Sequence, residues 1–169
     1  MLKTDARPPG GSVDYPTATA ADQVAAQGHY MSMLMAIISL GAPRSQEGPA
    51  PLSAEAWMFG LNAREASRAA WEALFHDYDV VLAPPFGTAA FPHDDRPGGS
   101  RTLTIDGDQV PYFSQIAWPG VATFPGLPAT CVPAGRTPEG LPTGVQIIGP
   151  YWEDRTTLAL AGLIERELV

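Results

Sequence analysis

Cysteine is almost absent: Cys131 stands alone in 169 residues, which excludes an intrachain disulfide framework and any multi-cysteine metal site. Lysine is as scarce. Lys3 is the only one beside nine arginines, and the formal net charge is −8. An acidic chain without a basic run has no electrostatic means of holding nucleic acid or an anionic membrane surface. No apolar stretch reaches the roughly 18 residues of a spanning helix. The start, Met1-Leu2-Lys3-Thr4-Asp5, lacks the charged-then-apolar form of a signal peptide. These absences together point to a cytoplasmic chain. What is plentiful is glycine (17) and proline (18), a composition of many turns that argues against a helical bundle or coiled coil. Apolar residues make up 45%, enough to bury a core and too many for a disordered segment.

Residues 1–19 read as a flexible tail, punctuated by Pro8-Pro9-Gly10-Gly11-Ser12. Residues 20–169 read as one segment. From Ala20 a helix runs through Tyr30-Met31-Ser32-Met33-Leu34-Met35-Ala36-Ile37-Ile38 to a stop at Gly41 and Pro43. It is apolar most of the way round, so it must be covered on several sides. Ser53 is placed to cap a second helix, with Trp57, Leu61, Ala66, Ala70, Trp71, Leu74 and Phe75 on its apolar positions. Arg64, Glu65, Arg68 and Glu72 would face outward and pair at i,i+4, and Gly60 or Asn62 could divide the helix in two.

Val80-Val81-Leu82-Ala83, closed by Pro84-Pro85, has the form of a strand buried on both faces. Residues 84–128 read mostly as loop, with one hairpin in which Asp106-Gly107-Asp108 joins Leu103-Thr104-Ile105 to Gln109-Val110. Two more strands follow: Ala129–Val132, ended by Pro133, and Gly144–Ile148, ended by Gly149-Pro150. Asp154 caps a last helix whose Leu158, Ala161, Leu163, Ile164 and Leu168 form one apolar face. The order specifies an α/β fold, a mixed β-sheet flanked by helices. Three interior-looking strands leave two edges with little to cover them, which favours a piece of a larger body.

The chemistry is sparse. His93-Asp94-Asp95 places three ligand types side by side, but neighbours in a turn rarely converge on a metal. Cys131 has no cationic neighbour or helix N-terminus to make it a thiolate, so a buried small hydrophobe is the better reading. No serine sits in a Gly-x-Ser-x-Gly elbow and no glycine-rich phosphate loop is present. Asp77 and Asp79 flank a tyrosine, and Glu153-Asp154 suit a helix dipole. No catalytic set, metal site or cofactor site is read from the residues.

The stretch from Trp118 onward is more specific. Phe124-Pro125-Gly126-Leu127-Pro128-Ala129-Thr130-Cys131-Val132-Pro133-Ala134-Gly135 is followed by Gly140-Leu141-Pro142-Thr143-Gly144-Val145-Gln146-Ile147-Ile148-Gly149, then Asp154 and a closing helix. This pattern resembles the C-terminal portion of the amidase signature family, and Tyr78-Asp79-Val80-Val81-Leu82-Ala83-Pro84-Pro85 is similar to an upstream strand of the same family. The resemblance runs from about residue 29 to the end. It implies hydrolysis of small amides through a Ser nucleophile, a bridging Ser and a Lys base, with backbone N–H groups on the oxyanion.

Those residues belong to the family's first half, and neither their signature nor its upstream Lys occurs in this sequence. No catalytic residue is therefore assigned, and the isolated chain is predicted to be inactive without an N-terminal amidase segment as partner. Phe86, Trp118, Thr123 and Phe124 are the expected substrate-binding wall, large or polar side chains on loops beside strand ends. Thr123 stands where many family members carry Asn. Gln146, polar in an apolar strand, needs a hydrogen-bond partner if buried. Two alternatives stay open: a non-catalytic binding or interaction module, and a segment like the component of an amidotransferase that releases ammonia from glutamine.

Overall fold

The computed structural model describes residues 28–37 and 52–168. The expected tail, the beginning and stop of the first helix, and most of the loop before Ser53 lie outside the described residues. Helix α1 is seen over 28–37. Its Met33 is buried whereas Met35 and Ile37 are exposed, so the helix is covered on one side only.

Helix α2 (Ala54–Phe75) is a single helix of 22 residues, capped as expected by Ser53, whose Oγ accepts from the Ala56 N–H at 3.1 Å. Gly60 does not divide it. A Cβ there would lie 2.8 Å from Met33 Sδ, so the glycine is where α1 comes close.

Strand β5 (Pro142–Ile148) is the centre of a three-stranded sheet, with β1 (Val81–Ala83) on one side and β4 (Ala129–Arg136) on the other. Among the described residues the pairing is antiparallel throughout, not mixed as expected; the short turn between β4 and β5 permits no parallel crossover. Leu82, Ile147 and Thr130 lie across from one another, as do Ala83, Gln146 and Cys131. Alternation along β5 then separates two cores. On one face Val132, Ile147 and Ala161 of α4 (Asp154–Leu168) are buried together, with Val145, Leu160 and Ile164 against them. On the other face Ile148 packs with Ala122 and Leu127, and with Trp71 and Phe75 of α2. Ile147 and Ile148 are both fully buried, each stabilising its own core by about 1.5–3 kcal/mol relative to exposure.

The two coverings are offset, and this corrects the reading of the strands as interior. Helix α4 packs over β4 and β5, which leaves Leu82 of β1 55% exposed on that face. Helix α2 and the α3 region cover β1 and β5 on the opposite face. Ala129 and Cys131 of β4 are exposed there, so Cys131 is not the buried hydrophobe expected. β4 also continues through Pro133 to Arg136 across a register shift between Pro133 and Gly135. An edge strand tolerates a residue without an N–H.

Four other readings change. Helix α4 turns Ala161, Ile164 and Leu160 inward and leaves Leu158 and Leu163 exposed; Asp154 lies in its first turn, not at its cap. Arg68 does not face outward with an i,i+4 partner. It pairs with Glu65 at i,i+3, 3.0 Å, donates through Nε to Pro125 O at 2.9 Å, and lies 4.0 Å over the Tyr151 ring. Arg64 is half-buried, its Nη2 beside the position a Gly126 Cβ would take.

Residues 84–128 are more ordered than a loop. Strands β2 (Thr102–Ile105) and β3 (Asp108–Pro111) form the expected hairpin. Asp106 and Gly107 both have positive φ, 52° and 91°, as a tight primed turn requires. A 3₁₀ segment, Tyr112–Ile116, then leads into the short helix α3, Ala117–Thr123. Pro119 sits in its first turn, where no N–H is needed. Among the described residues no helix is long and apolar enough to cross a membrane.

Candidate functional site

The expected wall residues gather around α3. Trp118 opens it and is 37% exposed. Gln146 reaches across from β5, buried, and its Nε2 donates to Trp118 O at 3.4 Å. The partner expected for this glutamine is therefore the backbone that starts α3. The chain leaving β1 crosses the same place: a Cβ on Gly87 would run into Gln115 Oε1 and lie 3.1 Å from Trp118 Nε1. A larger residue there would displace the Gln115 amide and crowd the Trp118 indole.

Phe86, next to Gly87, turns the other way. It is half-buried and stacks on Phe91 at 5.9 Å and against Tyr112 at 6.2 Å. Thr123 closes α3 with an exposed side chain whose hydroxyl donates to Pro119 O at 2.8 Å. Phe124 is buried, edge-on to Tyr30 at 6.4 Å. Tyr30 lies over Gly120. Burial pushes its phenol up, and a hydrogen bond with the Thr123 side chain partly offsets this. The structure thus brings Trp118, Thr123 and the Phe86–Gly87 turn around one short helix, with Phe124 behind them.

Gln115, Gly87 and Tyr30 were not singled out from the sequence. Gln115 is buried, with Nε2 donating to Ser114 Oγ at 3.0 Å. Its Oε1 is buried without a hydrogen-bond partner among the described residues. The one signal that could have pointed to it was a glutamine set in the apolar run from Tyr112 to Trp118.

His93, Asp94 and Asp95 do not form a ligand set. Asp94 is committed to Arg96: Oδ1 accepts from the Arg96 N–H at 3.0 Å, and both carboxylate oxygens accept from the guanidinium at 2.7–3.0 Å. These bonds hold its carboxyl at about 2, against an ordinary 3.8. Among the described residues no three His, Cys, Asp or Glu side chains are grouped to hold a metal ion.

Comparison with known proteins gives the wider context. The Amidase family model matches residues 37–158. A fatty acid amide hydrolase of Arabidopsis thaliana is 34% identical over 94 residues, covering 54% of this chain and 14% of the relative. An indoleacetamide hydrolase of Bradyrhizobium diazoefficiens is 36% identical over 121 residues, covering 68% of this chain and 21% of the relative. The crystal structure of an amidase superposes with a TM-score of 0.67 at 23% identity, over 87% of this chain and 36% of that one. The chain therefore spans a small part of the curated relatives it matches. With a family match over most of its length, and an α/β fold shared with that structure, the chain belongs to the amidase signature family.

Proposed function

We propose that this chain is the C-terminal portion of an amidase that hydrolyses carbon–nitrogen bonds in small amides. In the complete enzyme a Ser nucleophile, a bridging Ser and a Lys base come from an N-terminal portion, and this portion supplies scaffold and pocket wall. The observation that carries the reading is the half-covered sheet. Leu82 on one face and Ala129 and Cys131 on the other are strand residues that α2, α3 and α4 do not reach, and they lie on the two edge strands, whose unpaired backbone groups proteins ordinarily cover or blunt. The small share of each relative that is matched supports the same reading.

In the wall, Trp118 and Thr123 present surface to a substrate and Phe86 flanks them. Phe124, buried against Tyr30, sets the position of α3 from behind. Such a wall orients an amide by shape and a few polar groups, while charge on the developing oxyanion is handled by backbone donors elsewhere.

Incubating the purified 169-residue chain with a simple aryl amide tests this. No release of arylamine above the buffer control is expected. Steady hydrolysis would place the catalytic groups within this chain and overturn the proposal. An in-frame Lys and a Gly-Gly-Ser-Ser signature encoded upstream of Met1 would support it, and a stop codon there with no such signature would count against it.

A further inference from the structure

A second feature lies apart from α3, between the segment after β1 and the β2–β3 hairpin. An open cavity of about 780 Å³ is bounded by Phe91, Arg101, Leu103 and Tyr112, with Asp94 and Arg96 at its side. That size is in the range of roughly 300–1,000 Å³ usual for small-molecule sites. Its apolar wall is aromatic: Phe91 and Tyr112 meet edge-to-face at 6.0 Å, and Phe86 backs both. Phe91 is 41% exposed, so part of its ring area has no protein partner.

The charges in this cavity do not cancel. Arg96 and Asp94 form a closed pair. Arg101 makes no ion pair of its own among the described residues, and its charge reaches Asp94 only at longer range, behind that of Arg96. Its Nε donates to Arg96 O, which fixes the guanidinium, and its carbon lies 6.0 Å over the Tyr112 ring. Among the described residues no acceptor engages its two terminal nitrogens. A half-buried arginine with its fork oriented and unfilled, beside an open aromatic wall, matches a ligand with a flat apolar body and one planar anionic end.

We propose that this cavity binds a small planar arene carrying a carboxylate, with the ring against Phe91 and Tyr112 and the carboxylate on the Arg101 guanidinium. A neutral arene leaves the arginine unanswered. A bare inorganic anion leaves the aromatic wall empty. This site goes beyond the hydrolase reading and does not depend on it, because Phe91, Tyr112 and Arg101, which would touch the ligand, are not in the wall around α3, and Phe86 is shared only as backing for the two rings.

Titration of the full chain with 4-fluorobenzoate, followed by ¹⁹F NMR, tests it directly, with 4-fluorobenzamide as the neutral comparison. Saturable binding of the benzoate is expected, and binding of the amide weaker by about tenfold or more, the usual weight of one charge-assisted hydrogen bond. Arg101→Met should remove that preference and leave the amide unaffected, with Arg101→Lys restoring part of it. Phe91→Leu should weaken both ligands and tests the aromatic half even if the arginine variants do not fold. Equal affinity for benzoate and benzamide, no saturable binding, or benzoate binding untouched by Phe91→Leu would each overturn the proposal.

Discussion

Asp94 shows how one side chain can look like a metal ligand in a sequence and be something else in a fold. With Asp95 and His93 beside it, the carboxylate completes a row of ligand types that a turn does not converge on a metal, and Arg96, two residues on, supplies a guanidinium and a backbone N–H instead. The folded value of about 2 lies below the ordinary 3.8. The pair therefore contributes fully above about pH 4, and its contribution is lost as pH falls toward the folded value. A ¹³C titration of the Asp94 carboxyl should give a midpoint near 2, moving up toward the ordinary range in Arg96→Ala. An unchanged midpoint in the variant would mean that the arginine is not the cause. At the same scale, the inward turn of Arg64 and Arg68 was not legible. Their spacing with Glu65 and Glu72 fits a solvated helix face, and the Pro125 carbonyl that draws Arg68 in is 57 residues away.

Among the elements, those set by local chemistry were legible: the Ser53 cap, the Asp106-Gly107 hairpin, and the strand around Gln146 with its buried amide. Helix α3 was not. Trp118-Pro119-Gly120 looks like loop because proline and glycine usually interrupt helices. Here the proline falls in the first turn and Gly120 is where Tyr30 packs.

The contact between β4 and α4 has a defined polarity that mutation can read. Thr157, fully buried, donates its hydroxyl to Asp154 O at 2.9 Å. The 2.8 Å contact with Thr130 must therefore use the Thr130 hydroxyl as donor. Thr157→Val should leave that donor unsatisfied and cost about 1–3 kcal/mol. Adding Thr130→Val should recover part of the loss, because no orphan then remains. Urea denaturation of the two single variants and the double variant gives the coupling. Strict additivity would mean that the two hydroxyls do not interact.

For the whole molecule, the order of helices and strands, α3 apart, could be read from the sequence, but burial could not. Val81, Leu82 and Ala83 have the same apolar character; which of them is covered depends on where α4 and α2 come to lie. The offset of those two layers makes a sharp contrast within one sheet row. Ile147→Ala should cost about 2–5 kcal/mol, whereas Leu82→Asn, directly across from it, should stay within about 0.5 kcal/mol, as an exposed substitution does. Comparable losses at both positions in thermal or urea unfolding would mean that α4 covers all three strands.

The same offset leaves the β4 end of the opposite face open, and the sequence happens to provide a single probe there. Cys131 is the only thiol in the chain, exposed, in register with Gln146 and Ala83. Reaction of the native protein with an aromatic disulfide reagent should release one equivalent of thiolate per chain, at a rate close to that of the urea-unfolded protein. A thiol that stays silent until the chain is unfolded would mean that this face is already covered, and the sheet would no longer argue for a missing amidase portion.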